Sequence, residues 1–147
     1  EVRRHDGLGE ALQTSGIALG LHNHWQEFEP LPDGRLPEDI MLQSVPELFA
    51  ELDVYWVKVG GQEPVATVKR LRKRAPLLHI KDGPCTREQA MTAVGKGIMP
   101  WKDVIGAASP ATEWLVVELD RCDTDMMEAV AESCRYLVAN GFAKGAR

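Results

Sequence analysis

The sequence predicts an α/β fold built on four parallel strands. Three observations carry this. Four short apolar runs occur along the chain: Ile17-Ala-Leu-Gly-Leu-His22-Asn-His24, Glu47-Leu-Phe-Ala-Glu-Leu-Asp53, Leu77-Leu-His79-Ile-Lys81-Asp82 and Trp114-Leu-Val-Val-Glu118-Leu-Asp120. Each ends in side chains able to hold a metal, and a helix-length segment follows each of the first three. Strands that alternate with helices pair in parallel through right-handed crossovers. Such proteins place their chemistry at the carboxyl ends of the strands.

The elements follow in order. Val2 to Thr14 carries Leu8 and Leu12 among polar residues and is stopped by Gly16, which reads as a helix. Strand one runs from Ile17 to about His24. A loop with Pro30, Pro32 and Gly34 leads to a helix over Pro37–Gln43, proline being favoured at a first helical position. Pro46 opens strand two, which ends near Asp53. Gly60-Gly61 breaks the chain before a helix over Glu63–Arg74.

Pro76 introduces strand three, Leu77 to Lys81. The segment from Asp82 to Met99, with Gly83-Pro84 and Gly95-Lys-Gly97, is long for a connection in a compact domain, and such loops tend to be functional. Pro100 starts a helix to about Ala108. Strand four is Trp114 to Leu119, and a last helix, Asp125 to Asn140, is closed by Gly141. Four strands cannot close a barrel, since the common one needs about eight. Such a sheet has two open edges, so a further half or a second copy is expected to complete it.

Composition sets the frame. The chain has 147 residues, enough for one domain, and its 44% apolar and 27% charged content describe a soluble globular protein. A net charge of -5 gives no reason to expect a nucleic-acid or membrane partner. Lys69-Arg-Leu-Arg-Lys-Arg74 reads as the solvated face of a helix whose apolar side is Val65, Val68 and Leu71. Cys85, Cys122 and Cys134 are odd in number and unpaired in spacing, so reduced thiols and a cytoplasmic protein are expected. No apolar run approaches the ~20 residues of a membrane span. The chain starts at Glu1 without Met, with a helix leading into a strand, and reads as a piece of something longer.

Side chains alternate along a strand, so His22 and His24 share a face, as do His79 and Lys81, and Glu118 and Asp120. On strand four, Leu115 and Val117 pack outward while Glu118 follows Val116 on the inner face. A buried carboxylate there needs a partner or a cation. Taken singly, each of these polar groups also fits a hydrogen-bonded core histidine, a cap or an ion pair. Nitrogen and carboxylate donors together suit a divalent transition metal.

Five motifs make the reading specific: Leu21-His-Asn-His24; Glu51-Leu-Asp-Val-Tyr-Trp56 with Gly60-Gly61; Leu78-His-Ile-Lys-Asp-Gly83; Val94-Gly-Lys-Gly97; and Val117-Glu-Leu-Asp120. In this order they resemble the sugar-phosphate isomerase/epimerase family of xylose isomerase-like TIM barrels, whose relatives include endonuclease IV. The resemblance spans residues 1–147 and matches only the second half of the barrel, strands five to eight. It implies a single partial domain, a (βα)4 half barrel.

The resemblance also implies one divalent cation (Mn, Co, Mg or Zn) on His22, Asp53, His79 and Glu118. The family's commoner pattern has Glu at the first of these positions, so this chain resembles the branch with His-Asn-His there. In family epimerases two metal-bound glutamates act as acid and base beside the substrate's carbonyl. Here Glu118 remains and His22 replaces the other, and a histidine can also transfer protons near neutrality. The expected activity is sugar or polyol isomerisation or epimerisation. Elimination from a keto-sugar or keto-inositol is the alternative within enzymes, and an inactive half barrel that only associates is the alternative outside them.

Further roles follow from the same likeness. His24 is a candidate substrate contact or proton carrier, or else a support for a ligand from behind. Lys81 is a candidate for steadying an oxyanion, or else part of an ion pair. Trp56 is a candidate for stacking on the sugar ring, with core packing as the alternative for both it and Trp101. Asp120 and Arg121 are candidates for binding hydroxyls, or else a surface pair. Trp56 stands where some relatives have His, which with the acidic charge disfavours a second metal and DNA-repair nuclease chemistry.

Overall fold

The computed structural model describes residues 14–145. Four strands form one parallel sheet in sequential order: β1 (Gly20–His22), β2 (Phe49–Asp53), β3 (Leu77–Ile80) and β4 (Trp114–Val117). Helix α1 (Pro37–Ser44) joins β1 to β2, preceded by a 3-10 turn at Gln26–Phe28. Helices α2 (Val54–Val59) and α3 (Pro64–Leu71) join β2 to β3, α4 (Trp101–Ala107) joins β3 to β4, and α5 (Met126–Ala139) follows β4. The helix expected from Val2 lies outside the described residues except for Thr14. No helix among them is long and apolar enough to cross a membrane, and all three cysteines are free.

Alternation along the strands separates two faces. Ala50, Leu52, Leu78 and Ile80 are wholly buried and pack with Val68, Val104 and Trp101 in a single core between sheet and helices. The opposite face carries His22, Glu51, Asp53 and His79, with Asp53 in register with His79, and His79 with Val116. This inner face is open. Trp114 on it is 64% exposed, and no described strand pairs beyond β1 or β4.

The structure moves several expected boundaries. Strand two begins at Phe49, not Pro46, because Arg74 organises the preceding turn. Its guanidinium donates to the carbonyls of Leu42 (2.8 Å), Val45 (3.2 Å), Pro46 (3.0 Å) and Leu48, closing the carboxyl end of α1. Arg74 is thus the member of the basic stretch that turns inward, while Lys69, Arg70, Arg72 and Lys73 are exposed. The sequence reading did not anticipate α2. Its start signal is Asp53, whose Oδ1 accepts from the amides of Tyr55 and Trp56, both at 3.0 Å.

The long segment after β3 is irregular, as expected, and is tied to one buried carboxylate. Asp82 accepts from the amides of Gly83 (2.8 Å), Gly95 (2.8 Å) and Met99 (3.1 Å), and from the Trp101 indole (2.9 Å). A side chain at position 97 would place its Cβ 2.0 Å from Asp82 Oδ1, so the Gly95-Lys-Gly97 motif serves this cradle. Trp101 takes the core-packing role.

Glu38 breaks the pattern of a solvated first helical turn. It is fully buried in α1, and neither carboxylate oxygen has a hydrogen-bond partner. Burial pushes its carboxyl up to about 8, with Glu27 and Asp39 adding to the rise and Arg70 and Arg74 opposing it. The folded state therefore keeps this proton to higher pH than the unfolded chain, which releases it near 4.5. Stability from this group is present at the acidic end and lost as pH rises through that window, by up to ~1.4 kcal/mol per pH unit. Denaturant midpoints at about pH 5 and about pH 8 should fall by this route in the native protein and much less in Glu38→Gln. Equal pH slopes in the two proteins would show that Glu38 does not retain its proton.

Candidate metal centre at the strand ends

Each site residue is placed by the strand or turn that carries it. His22 closes β1, Asp53 closes β2, His79 lies within β3, and Glu118 directly follows β4. One ligand atom from each lies within 4.8 Å of the others. The His22 and His79 rings have centroids 4.5 Å apart. Between the histidines of the His-Asn-His motif, Asn23 faces the opposite way and is fully buried. It accepts from the Asp53 amide (2.9 Å) and donates to the Asp53 carbonyl (3.1 Å), which fastens the end of β1 to the end of β2.

Two carboxylates flank His79. Its Nδ1 lies 2.6 Å from Glu118 Oε2 and its Nε2 lies 2.7 Å from Glu51 Oε1. Lys81, just beyond β3, has 0% side-chain exposure. Its ammonium stands 3.2 Å from Asp53 Oδ2, 3.1 Å from Glu118 Oε2 and 2.8 Å from Asp120 Oδ2. Burial works against this charge, but Asp53 first, then Asp120 and Glu118, hold the ammonium above its ordinary range.

The acids respond oppositely. Burial pushes the Asp53 carboxyl up to about 6, outweighing the pull of Lys81, the Trp56 amide and His79. Burial also acts on Glu118, but hydrogen bonding and charge from Lys81, then His79, more than reverse it and hold the carboxyl low. Asp53 spends Oδ1 on capping α2, while Oδ2 receives no hydrogen bond. Lys81 lies near that oxygen as an ion-pair partner without donating to it in line. A buried carboxylate oxygen held by an ion pair and not by an aligned hydrogen bond is suited to a cation.

The sequence-derived residues therefore converge in part. His22, Asp53, His79 and Glu118 form the cluster, and Lys81 and Asp120 adjoin it. The exposed His24 ring stands 5.1 Å from that of His22, and its amide donates to Glu27 (2.8 Å). Trp56 is only 2% exposed and packs against Trp25 (5.0 Å), Tyr55 (5.3 Å) and His24 (6.1 Å). Arg121 points away, donating to the Glu88 carbonyl. Sequence reasoning assigned no role to Glu51 or Asn23. The period-2 rule that paired Glu118 with Asp120 places Glu51 with Asp53 equally well, and would have found it.

No family model matches this chain, and no curated protein does. Solved structures do. A sugar phosphate isomerase/epimerase from Parabacteroides distasonis is similar at 31% identity and a TM-score of 0.76, over 92% of this chain and 50% of that one. A second sugar phosphate isomerase/epimerase structure from the same organism is similar at 25% identity and a TM-score of 0.75, over 95% and 52%. An IolI protein with a bound zinc atom shares the fold at 15% identity and a TM-score of 0.71, over 98% and 56%. The chain thus spans about half the length of these neighbours. Its four-stranded parallel sheet matches half of a xylose isomerase-like TIM barrel, and the chain is similar to these sugar phosphate isomerase/epimerase structures over about half of their length.

Proposed function

We propose that this chain forms the metal-binding half of an enzyme that moves a proton beside the carbonyl of a sugar or polyol, giving isomerisation or epimerisation. The observation that carries this is the cluster of His22, Asp53, His79 and Glu118, one ligand atom of each lying within 4.8 Å of the others. Two imidazoles and two carboxylates fit manganese, cobalt or zinc, and magnesium less well because it prefers oxygen donors. A bound zinc in a neighbour of the same fold supports the reading. When bound, a divalent ion would polarise the substrate's oxygen and so ease loss of the adjacent proton.

The chain's own residues supply the rest. Glu118, held ionised by Lys81 and His79, is the carboxylate placed to take a proton. His24, exposed beside His22, is the second group placed to carry one. Asp120 offers a partly exposed carboxylate to a substrate hydroxyl. Lys81 is paired with three acids and acts here as their counter-charge, with its contact to a developing oxyanion following only if an acid turns to the metal. Trp56 backs the wall of the site from beneath His24 and Trp25. The open edges of β1 and β4 call for a second half barrel, from a longer chain or from another copy, to enclose the substrate.

Purified protein should take up one equivalent of manganese, cobalt or zinc by calorimetry and elemental analysis. Glu118→Gln should lose more than the ~10–100-fold in affinity that outer-shell changes cost. Absence of uptake by the native protein would remove the site. With a panel of keto-sugars and their phosphates in deuterated buffer, NMR should show metal-dependent solvent exchange at a carbon next to the carbonyl. A product missing the elements of water would instead favour elimination.

Lys81→Met tests the counter-charge role. Leaving three acids around an apolar side chain should cost ~3 kcal/mol of stability at neutral pH, partly restored by metal. Unchanged stability with reduced turnover would instead assign Lys81 to the oxyanion.

A further inference from the structure

Glu51 stands outside the four-residue cluster yet touches both of its histidines. It precedes Asp53 by two residues on β2, so both side chains share the inner face. Its Cα is in register with His22 on one side and Leu77 on the other, a step below the level at which Asp53 faces His79. From there its carboxylate Oε1 meets His79 Nε2 at 2.7 Å, and its main-chain carbonyl meets His22 Nδ1 at 3.3 Å. Among the described residues no lysine or arginine pairs with Glu51, whose ion-pair partner is His79. A charged residue at mid-strand whose partner is a histidine is arranged for that histidine.

We propose that Glu51 is the positioning residue of the metal centre, turning Nδ1 of His79 and Nε2 of His22 toward a bound cation. The inference rests on the metal-site reading above. A neutral imidazole has one N–H, and the nitrogen that carries it cannot coordinate, so the hydrogen-bond acceptor decides which nitrogen is presented. A carbonyl only accepts, so His22 donates through Nδ1 and presents Nε2. For His79 the two nitrogens face different acids. Nδ1 faces Glu118, a member of the cluster, and Nε2 faces Glu51, which is not. With a cation on the cluster, Nδ1 is the nitrogen turned toward it, and His79 then donates through Nε2 to Glu51. A carboxylate behind a ligating histidine also raises the ring's basicity and fixes its orientation.

Only one of these two contacts is made by a side chain, which provides an internal control. Long-range ¹H–¹⁵N NMR of the rings, in mildly alkaline buffer and again with zinc, reads both tautomers. The zinc-loaded native protein should show His79 protonated at Nε2 and His22 at Nδ1. In metal-free Glu51→Ala only Glu118 still faces the His79 ring, so its proton should lie at Nδ1, while His22 keeps its Nδ1 proton because the carbonyl remains. Zinc affinity should fall ~10–100-fold, and the cobalt-loaded protein should change its visible spectrum. Glu51→Gln, which keeps an acceptor oxygen and the shape of the side chain, should retain the His79 tautomer with a smaller loss of affinity. This variant also reports if the alanine protein fails to fold. The proposal is overturned if His79 is protonated at Nδ1 in the zinc-loaded native protein. It is equally overturned if Glu51→Ala leaves zinc affinity unaltered. Should the native protein bind no zinc, the metal reading fails and takes the proposal with it, an outcome distinct from zinc bound equally well with and without the Glu51 carboxylate.

Discussion

Lys81 carries a positive charge to a place without water contact, where an unpaired ammonium would be costly enough to lose its proton or unfold the chain. Three acids prevent this. Asp53 comes from the end of β2 and Glu118 and Asp120 from beyond β4, while Lys81 itself extends β3. The ion cluster therefore links three strand ends, and Asp53 and Glu118, the two carboxylates of the candidate metal site, are two of its three anions. It fixes register as well as position. A slip by one residue at any of these strands would turn a charged side chain into the apolar core and a leucine or valine into the rim. The fold and the candidate site are thus secured by the same contacts, and an excess of negative charge is left for a cation to balance.

The histidines are fixed by a separate set of bonds. Asn23 joins the end of β1 to Asp53 through backbone groups, and Glu51 touches both imidazoles. Asp53 has two tasks at once. One oxygen caps α2 and so stiffens the carboxylate, while the other pairs with the Lys81 ammonium beside the cluster. Farther out, Asp82 gathers the long loop after β3, and the Tyr55 hydroxyl accepts from the Cys85 amide to pin its start. The rim of the sheet is accordingly rigid on this side. Among the described residues the inner face is uncovered, with Trp114 exposed on it.

The strands and the four cluster residues were legible in the sequence because burial on one face and chemistry on the other leave a period-2 trace ending in polar residues. The signal fails where one residue plays two parts. Val54–Val59 is short and apolar apart from Lys58, and its start signal, Asp53, reads first as a strand-end ligand, so α2 was invisible. Glu51 was overlooked beside Asp53, although alternation places both on one face. Arg74 sits in a run of exposed basic residues, and nothing local marks it as the one that turns in to meet four carbonyls. Glu38 occupies a helical first turn, where acids are ordinarily solvated, and its burial comes from tertiary packing alone.

The central claim is that two imidazoles and two carboxylates from four strand ends meet on one ion. X-ray absorption at the zinc edge of metal-loaded protein tests it directly. The account predicts a first shell of nitrogen and oxygen at ~2.0–2.2 Å, with the outer-shell scattering of two imidazole rings. A shell with no imidazole contribution, or one containing sulfur, would contradict it.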